Sequence, residues 1–346
     1  MKLSIPELLN KDHLPSLDGY RGVAILLVVV QHTFPSALKP FHGNYGVYIF
    51  FGISGILITT LLLKEKARTG AVSLRLFYIR RFLRIFPVAY LMILVVFILN
   101  YLLDVGIPRR EFLGAALYLQ DTTIFGDDQT YLSHYWSLSV EEQFYCIFPV
   151  VMRGNAKLYI GIVVLLIACA PVISYADVTG VITSAAFVVF DEILRYMPAL
   201  LIGSLASVLL FTGIIKVPAR VPFRSLIVLT LFVLGGYLIA HPAALRSTSV
   251  TFTTAYVVIA VMIVLSLVPG EDPVFKVLNS RVLATVGVYS YSLYIWQQIF
   301  TGHRPWAGMF PGADSDVLNL AALAMVCYLS YNFYEKKFLL LKDRFK

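Results

Sequence analysis

The chain has 346 residues, of which 59% are hydrophobic and only 14% charged, with a mean hydropathy of +0.79. A soluble domain is nearer half apolar and a quarter charged, so this charge deficit excludes an ordinary water-facing globule. The net charge of +8, from 28 Lys and Arg against 20 Asp and Glu, reads as basic loops beside a membrane, and no nucleic-acid partner is expected.

In chain order, residues 1–15 are polar and mixed, a cytoplasmic lead-in or interfacial helix. The first apolar run has no small-residue cleavage pattern and is expected to be a retained helix, not a signal peptide. A membrane helix needs ~20 mostly apolar residues, and such runs fall at 19–38, 46–63, 85–103, 136–152, 158–174, 193–212, 225–241, 252–268, 284–301 and 317–334. They predict an all-α polytopic membrane protein of about ten helices in one domain, 1–346. A weaker stretch, Glu111 to Gln120, is too short to cross and suits an external or re-entrant helix. Strand-period alternation, internal repeats and a linker to a second domain are absent from the pattern. Cys146, Cys169 and Cys327 sit in separate apolar runs without ligand spacing, so neither metal nor disulfide is expected.

Loop charge sets the orientation. One set of loops holds Lys64, Lys66, Arg68, Arg75, Arg80, Arg81, Arg84, Arg153, Lys157, Lys216, Arg220, Arg224, Lys276, Arg281 and the tail from Lys336 to Lys346. The opposite set holds Lys39, Arg109, Arg110, Arg246 and Arg304. Both termini are therefore expected to be cytoplasmic.

Four stretches carry chemistry. In SLDGYRGVAILLVVVQHTF, Arg21 and His32 are eleven residues apart, which returns to within ~20° of one helix face with ~16 Å of rise between them. Arg21 lies near the cytoplasmic end, His32 towards the outer side, and Asp18 can pair with Arg21 at three residues' spacing. Intramembrane ionisable groups are costly and mark interiors or aqueous cavities, and histidine suits proton transfer near neutral pH. The bland alternative is an interfacial arginine and a packing histidine. In FYIRRFLRIFPVAY, Arg80, Arg81 and Arg84 share neighbouring faces, and Pro87 is expected to kink or start the following span. Guanidinium forks suit phosphate, but topogenic charge beside anionic lipid explains them equally.

In HYWSLSVEEQFY, His134, Glu141 and Glu142 flank or enter the apolar region. Glu141 could orient a histidine, bind a sugar hydroxyl or hold an arginine such as Arg195; Glu142 reads as solvated or structural. Trp136 and, in YSYSLYIWQQIF, Tyr294 are aromatic groups of the kind that line sugar sites or form an interfacial belt. Gly52, Ser54 and Gly55 in GVYIFFGISGILI either let helices approach closely or line a channel for an acyl or pantetheine arm. Ser54 lacks the Gly-x-Ser-x-Gly surroundings of a nucleophile.

LDGYRG with a histidine eleven residues after Arg21, FFGISGIL, RRFLRIFP, HYWSLSVEEQFY, YSLYIW and the final YNFYEKKF resemble the membrane acyltransferase family 3, in the family's order and over nearly the whole chain. The resemblance implies a ten-helix protein that O-acylates, most often O-acetylates, surface glycans such as lipopolysaccharide O-antigen, exopolysaccharide or peptidoglycan. It implies an essential role for Arg21 and His32, an acyl-CoA role for Arg81 and Arg84, and a place for Glu141 in the WSLSVE signature. Where the family often has histidine after the tryptophan of YxxYxW, this chain has Gln297.

The expected reaction moves an acyl group, most often acetyl, from acetyl-CoA at the inner face to a glycan hydroxyl at the outer face of a bacterial inner membrane. His32, Arg21 and Glu141 are the expected catalytic residues. Arg80, Arg81 and Arg84 are expected to bind the CoA, and His134, Trp136 and Tyr294 the acceptor, which is a glycan or lipid-linked glycan. Without an appended extracytoplasmic domain, the bundle is expected to bind that acceptor itself. The alternatives are N-acylation of an amino sugar, or a secondary transporter, against which stands the lack of repeat halves and paired broken helices.

Overall fold

The computed structural model describes residues 3–11, 13–36, 44–126, 130–181, 184–245, 247–302 and 304–345; Lys39, Arg246, Lys346 and the outer end of the first predicted span lie outside them. The helices are α1 (Pro15–Thr33), α2 (Asn44–Thr69), α3 (Leu74–Leu103), α4 (Arg109–Leu117), α5 (Tyr135–Arg153), α6 (Ala156–Val178) and α7 (Ala185–Arg195). They continue with α8 (Met197–Phe211), α9 (Arg224–Ala240), α10 (Thr248–Ser266), α11 (Pro273–Leu278), α12 (Arg281–Phe300), α13 (Asp316–Leu329) and α14 (Lys336–Lys342). No strand occurs among the described residues. A helix stands at every predicted span. Five are long and apolar enough to cross a membrane, or six if α7 and α8, bent by 48° at Tyr196, count as one. Their outer faces are apolar: Phe97, Tyr101 and Leu165 are all more than half exposed, as a lipid-facing surface requires.

Two departures from the sequence reading stand out. Pro87 lies inside α3, so the arginine stretch and the following span form one 30-residue helix. Proline removes a backbone bond, and tyrosines serve the carbonyls around it. Tyr291 donates to Ile85 O at 2.8 Å, Tyr334 to Pro87 O at 3.3 Å and Tyr135 to Ala89 O at 2.6 Å. The second departure is the broken helix at Tyr196, within the predicted run 193–212, where Pro198 stands in the first turn of α8.

The chain forms two packing units interleaved in sequence. The first comprises Met1–Val28, Ser36–Val72 and Gln143–Val288; the second comprises Val29–Pro35, Ser73–Glu142 and Tyr289–Lys346. In the first, α2 packs most extensively on α8, and small residues explain why. A Cβ on Gly55 would strike Leu200 O, and one on Gly203 would stand 2.6 Å from Gly52 O. Hydroxyls then tie the close backbones together: Thr59 to Ser204 at 2.6 Å, Thr60 to Ser207 at 3.1 Å, and Ser207 to Ile56 O at 3.0 Å. Such small-residue contacts and interhelical hydrogen bonds hold membrane helices where lipid gives no hydrophobic drive. Gly52 and Gly55 are therefore filled by α10 and α8, which corrects the expectation that they line a channel for a pantetheine arm.

The glycines of LDGYRG serve the same end. A Cβ on Gly19 would overlap Leu278 O, and one on Gly287 would overlap Asp18 O, so α1 and the start of α12 meet backbone to backbone. Gly55→Leu should force α2 from α8 and cost about 1–3 kcal/mol of overpacking strain. Purified variant protein should melt several degrees below wild type in detergent; equal melting would contradict the contact.

Candidate functional site

The second unit gathers most of the expected site. His32 lies in the last turn of α1 and is exposed. His134 lies in the turn that leads into α5, 4% exposed, and the two imidazoles are close enough to act on each other electrostatically. Burial, with the neighbouring His32 adding to it, pushes the His134 imidazole down to about 3, so it is neutral. Neither of its ring nitrogens makes a well-formed hydrogen bond among the described residues, although the backbone of Tyr131 and Ile295 lies beside the ring.

Tyr294 packs edge-on against His134, with ring centroids 5.7 Å apart. Its hydroxyl lies 2.5 Å from the Ser137 hydroxyl, and both hydroxyls are within hydrogen-bond reach of His134 O, at 3.1 and 3.2 Å. Glu141, partly exposed, acts on the same Tyr294. Trp136 is half-buried at the start of α5. Tyr294 and His134 are both buried and pack against each other. Gln297 is fully buried and accepts from Thr301 at 2.9 Å through its side-chain oxygen. It lies within α12, and its carboxamide does not titrate as an imidazole would.

The three arginines of α3 diverge. Arg80 donates to Phe345 O at 2.9 Å. Arg81 lies 5.9 Å over the Phe77 ring and acts on Glu142. Arg84 acts on Glu335. Glu142 is buried, so the solvated alternative for it is excluded and the structural one stands. Glu335 was missed by the sequence reading. It ends the wide turn Ser330–Glu335 between α13 and α14, and it accepts from Ser292 at 2.6 Å and Ser330 at 2.7 Å. Wide helical turns of this kind recur at functional sites, and its position in YNFYEKKF was the available signal.

In the first unit, Asp18 accepts from Arg21 at 2.7 Å and pairs with His13 at 2.6 Å. The predicted three-residue pair thus forms, with the Arg21 side chain 17% exposed. Ser54 lies within α2 and is partly exposed. Arg195 pairs with Asp191 at 2.6 Å. No group of three or more His, Cys, Asp or Glu side chains with metal-holding geometry occurs among the described residues.

The assembled groups suit proton transfer and anion binding. An exposed imidazole lies within electrostatic reach of a neutral, buried one; a tyrosine packs on the buried ring and a carboxylate acts on that tyrosine; and two arginines act on buried carboxylates. The depressed His134 has a measurable consequence. Unfolded histidine binds a proton below about 6.5 and the folded one only near 3, so the unfolded state binds more protons between them. Stability from this group is full above pH 6.5 and is lost as pH falls, at up to about 1.4 kcal/mol per pH unit. His134→Phe should flatten the acid side of the melting-temperature profile relative to wild type; identical acid slopes would contradict the buried neutral imidazole.

The sequence profile of acyltransferase family 3, described as an acyltransferase domain, matches residues 14–333. A peptidoglycan O-acetyltransferase OatA of Listeria monocytogenes is 28% identical over 94% of this chain and 56% of its own length. An O-acetyltransferase OatA of Staphylococcus aureus is 36% identical over 40% of this chain and 25% of its own. The chain thus spans about a quarter to a half of the curated relatives it matches. No solved structure matches it. With the profile covering nearly the whole helical chain, and with five or six of its described helices long and apolar enough to cross a membrane, this protein belongs to acyltransferase family 3.

Proposed function

We propose that the protein transfers an acyl group, most often acetyl, from acyl-CoA to a hydroxyl of a cell-surface glycan. The observation that carries the reading is the exposed His32 at the end of α1, beside the buried His134, in a chain of this family. The names of the relatives favour O-acetyl transfer, and the Listeria relative's name favours peptidoglycan among possible acceptors; O-antigen and exopolysaccharide share the same hydroxyl chemistry.

In this mechanism His32 takes the proton of the acceptor hydroxyl as its oxygen attacks the thioester carbonyl. The C–S bond breaks, the CoA thiolate leaves and takes up that proton, and the products are an O-ester and free CoA. His32 needs access to both reactants, and its exposure supports this role. Glu141 and Tyr294 orient the imidazole pair. Arg81 and Arg84 grip phosphate oxygens of CoA, and Glu142 and Glu335 hold their guanidiniums in place beforehand, which lowers the ordering cost of binding. Arg21, fixed by Asp18, steers the donor on the inner side. The basic loops favour cytoplasmic termini, ten crossings and a bacterial inner membrane.

His32→Ala should abolish transfer from labelled acetyl-CoA in a protein that expresses and melts like wild type; full activity in such a variant would sink the base assignment. Arg81→Ala and Arg84→Ala should each weaken acetyl-CoA binding about tenfold or more, with a smaller effect on an analogue lacking the contacted phosphates. Equal loss for both ligands would mean that these arginines act only by holding Glu142 and Glu335. Lysine should rescue partially, because it lacks the planar fork.

A further inference from the structure

The first unit contains a cavity of about 380 Å³ that none of the chemistry above uses. It lies against the break between α7 and α8, with the end of α6 and the start of α10 as its other walls. Its size is at the small end of ligand pockets, which suits a short stretch of sugar and not a nucleotide-bearing coenzyme.

The lining has two characters. Tyr196, Phe252 and Tyr256 give it aromatic faces. Tyr48 backs them, stacked on Tyr196 at 6.3 Å and edge-on to Tyr256 at 5.1 Å. Arg195, Ser174 and Ser249 bring hydrogen-bonding groups to the same space. Arg195 is the one charged residue among the described residues that line it, and its partner Asp191 is 1% exposed. A guanidinium already neutralised by a buried carboxylate offers N–H donors without a net positive field. Such a site favours neutral hydroxyls over a strong anion, and its arginine disfavours a cation against the aromatic faces.

A second cavity adjoins the first and shares Pro171 and Thr253 with it. It is an open crevice lined by Val164, Ile167, Leu205 and Val250, aliphatic where the first is aromatic and polar. An aromatic, hydroxyl-rich pocket continuous with an aliphatic groove matches an amphiphile with a sugar head and a hydrocarbon tail. We propose that the two cavities together form a binding site for a lipid-linked neutral sugar, with the ring against Tyr196, Phe252 and Arg195 and the tail in the crevice. The broken helix gives the site its reason: the bend at Tyr196 turns Arg195 and the aromatic ring into the pocket, as irregular helices in membrane proteins line cavities. As a binding site it stands on the cavities alone; as an acceptor site it rests on the transferase reading.

The test uses full-length protein in phosphatidylcholine nanodiscs, free of sugar detergents, with a photoreactive dodecyl maltoside as probe. Labelling should be saturable and map to the peptides holding Tyr196 and Phe252. Unlabelled dodecyl maltoside should compete with it at least about tenfold better than either dodecylphosphocholine or free maltose. Ser249→Trp, which fills the pocket, and Phe252→Ala should each cut labelling about fivefold or more. Equal competition by dodecylphosphocholine would mean a lipid groove without sugar recognition. Undiminished labelling of Ser249→Trp, or no saturable labelling of wild type, would overturn the site. Acetyl transfer is assayed on the same preparations. Labelling without transfer would reject the transferase reading and keep this site, and transfer without labelling would do the reverse.

Discussion

The structure depends on one constraint: a charge or polar group inside an apolar helical bundle must find its partner within the bundle. Water that would solvate it is absent from hydrocarbon, and an isolated buried charge costs several kcal/mol or more. The chain meets much of this with paired groups. Asp18 holds Arg21, Asp191 holds Arg195, and Asp272 holds Arg224. In the second unit Arg81 stands with Glu142, and Arg84 with Glu335. The three aspartate pairs fix their guanidiniums before any substrate arrives. The same rule governs the backbone, where three tyrosines serve carbonyls around Pro87 and hydroxyls tie α2 to α8.

Pairing also separates the roles of residues that look alike in sequence. Glu141 and Glu142 are adjacent, yet Glu142 is buried beside Arg81 while Glu141 is partly exposed near Tyr294. His32 and His134 are both histidines in family motifs. One is exposed; the other is buried and neutral. A reaction that passes a proton needs an accessible base, and among these groups His32 has that access.

Much of this was legible in the sequence because lipid imposes long apolar runs, and each run became a helix. The Asp18–Arg21 pair followed from helix spacing alone. What escaped depended on contacts distant in sequence. Pro87 reads as a helix breaker until Tyr135, Tyr291 and Tyr334 are seen around it. The break at Tyr196 falls inside an apolar run, where Arg195 and Pro198 were its signals. Gly52 and Gly55 fit either a channel or a close helix contact, and only the backbone of α8 and the side chains of α10 decide it. Glu335 lies in a quoted motif, but its value comes from Ser292 and Arg84, which no spacing rule connects to it.

The account's central claim is that donor and acceptor reach the protein from opposite sides of the membrane, the donor at the basic cytoplasmic face and the glycan at the other. Sealed vesicles of defined orientation test it most directly. Labelled acetyl-CoA is confined to one face and a soluble acceptor glycan to the other, in right-side-out and inverted preparations. The account predicts acetylated glycan only when acetyl-CoA is at the cytoplasmic face and glycan at the opposite face. Equal product with both substrates confined to the cytoplasmic face would contradict it.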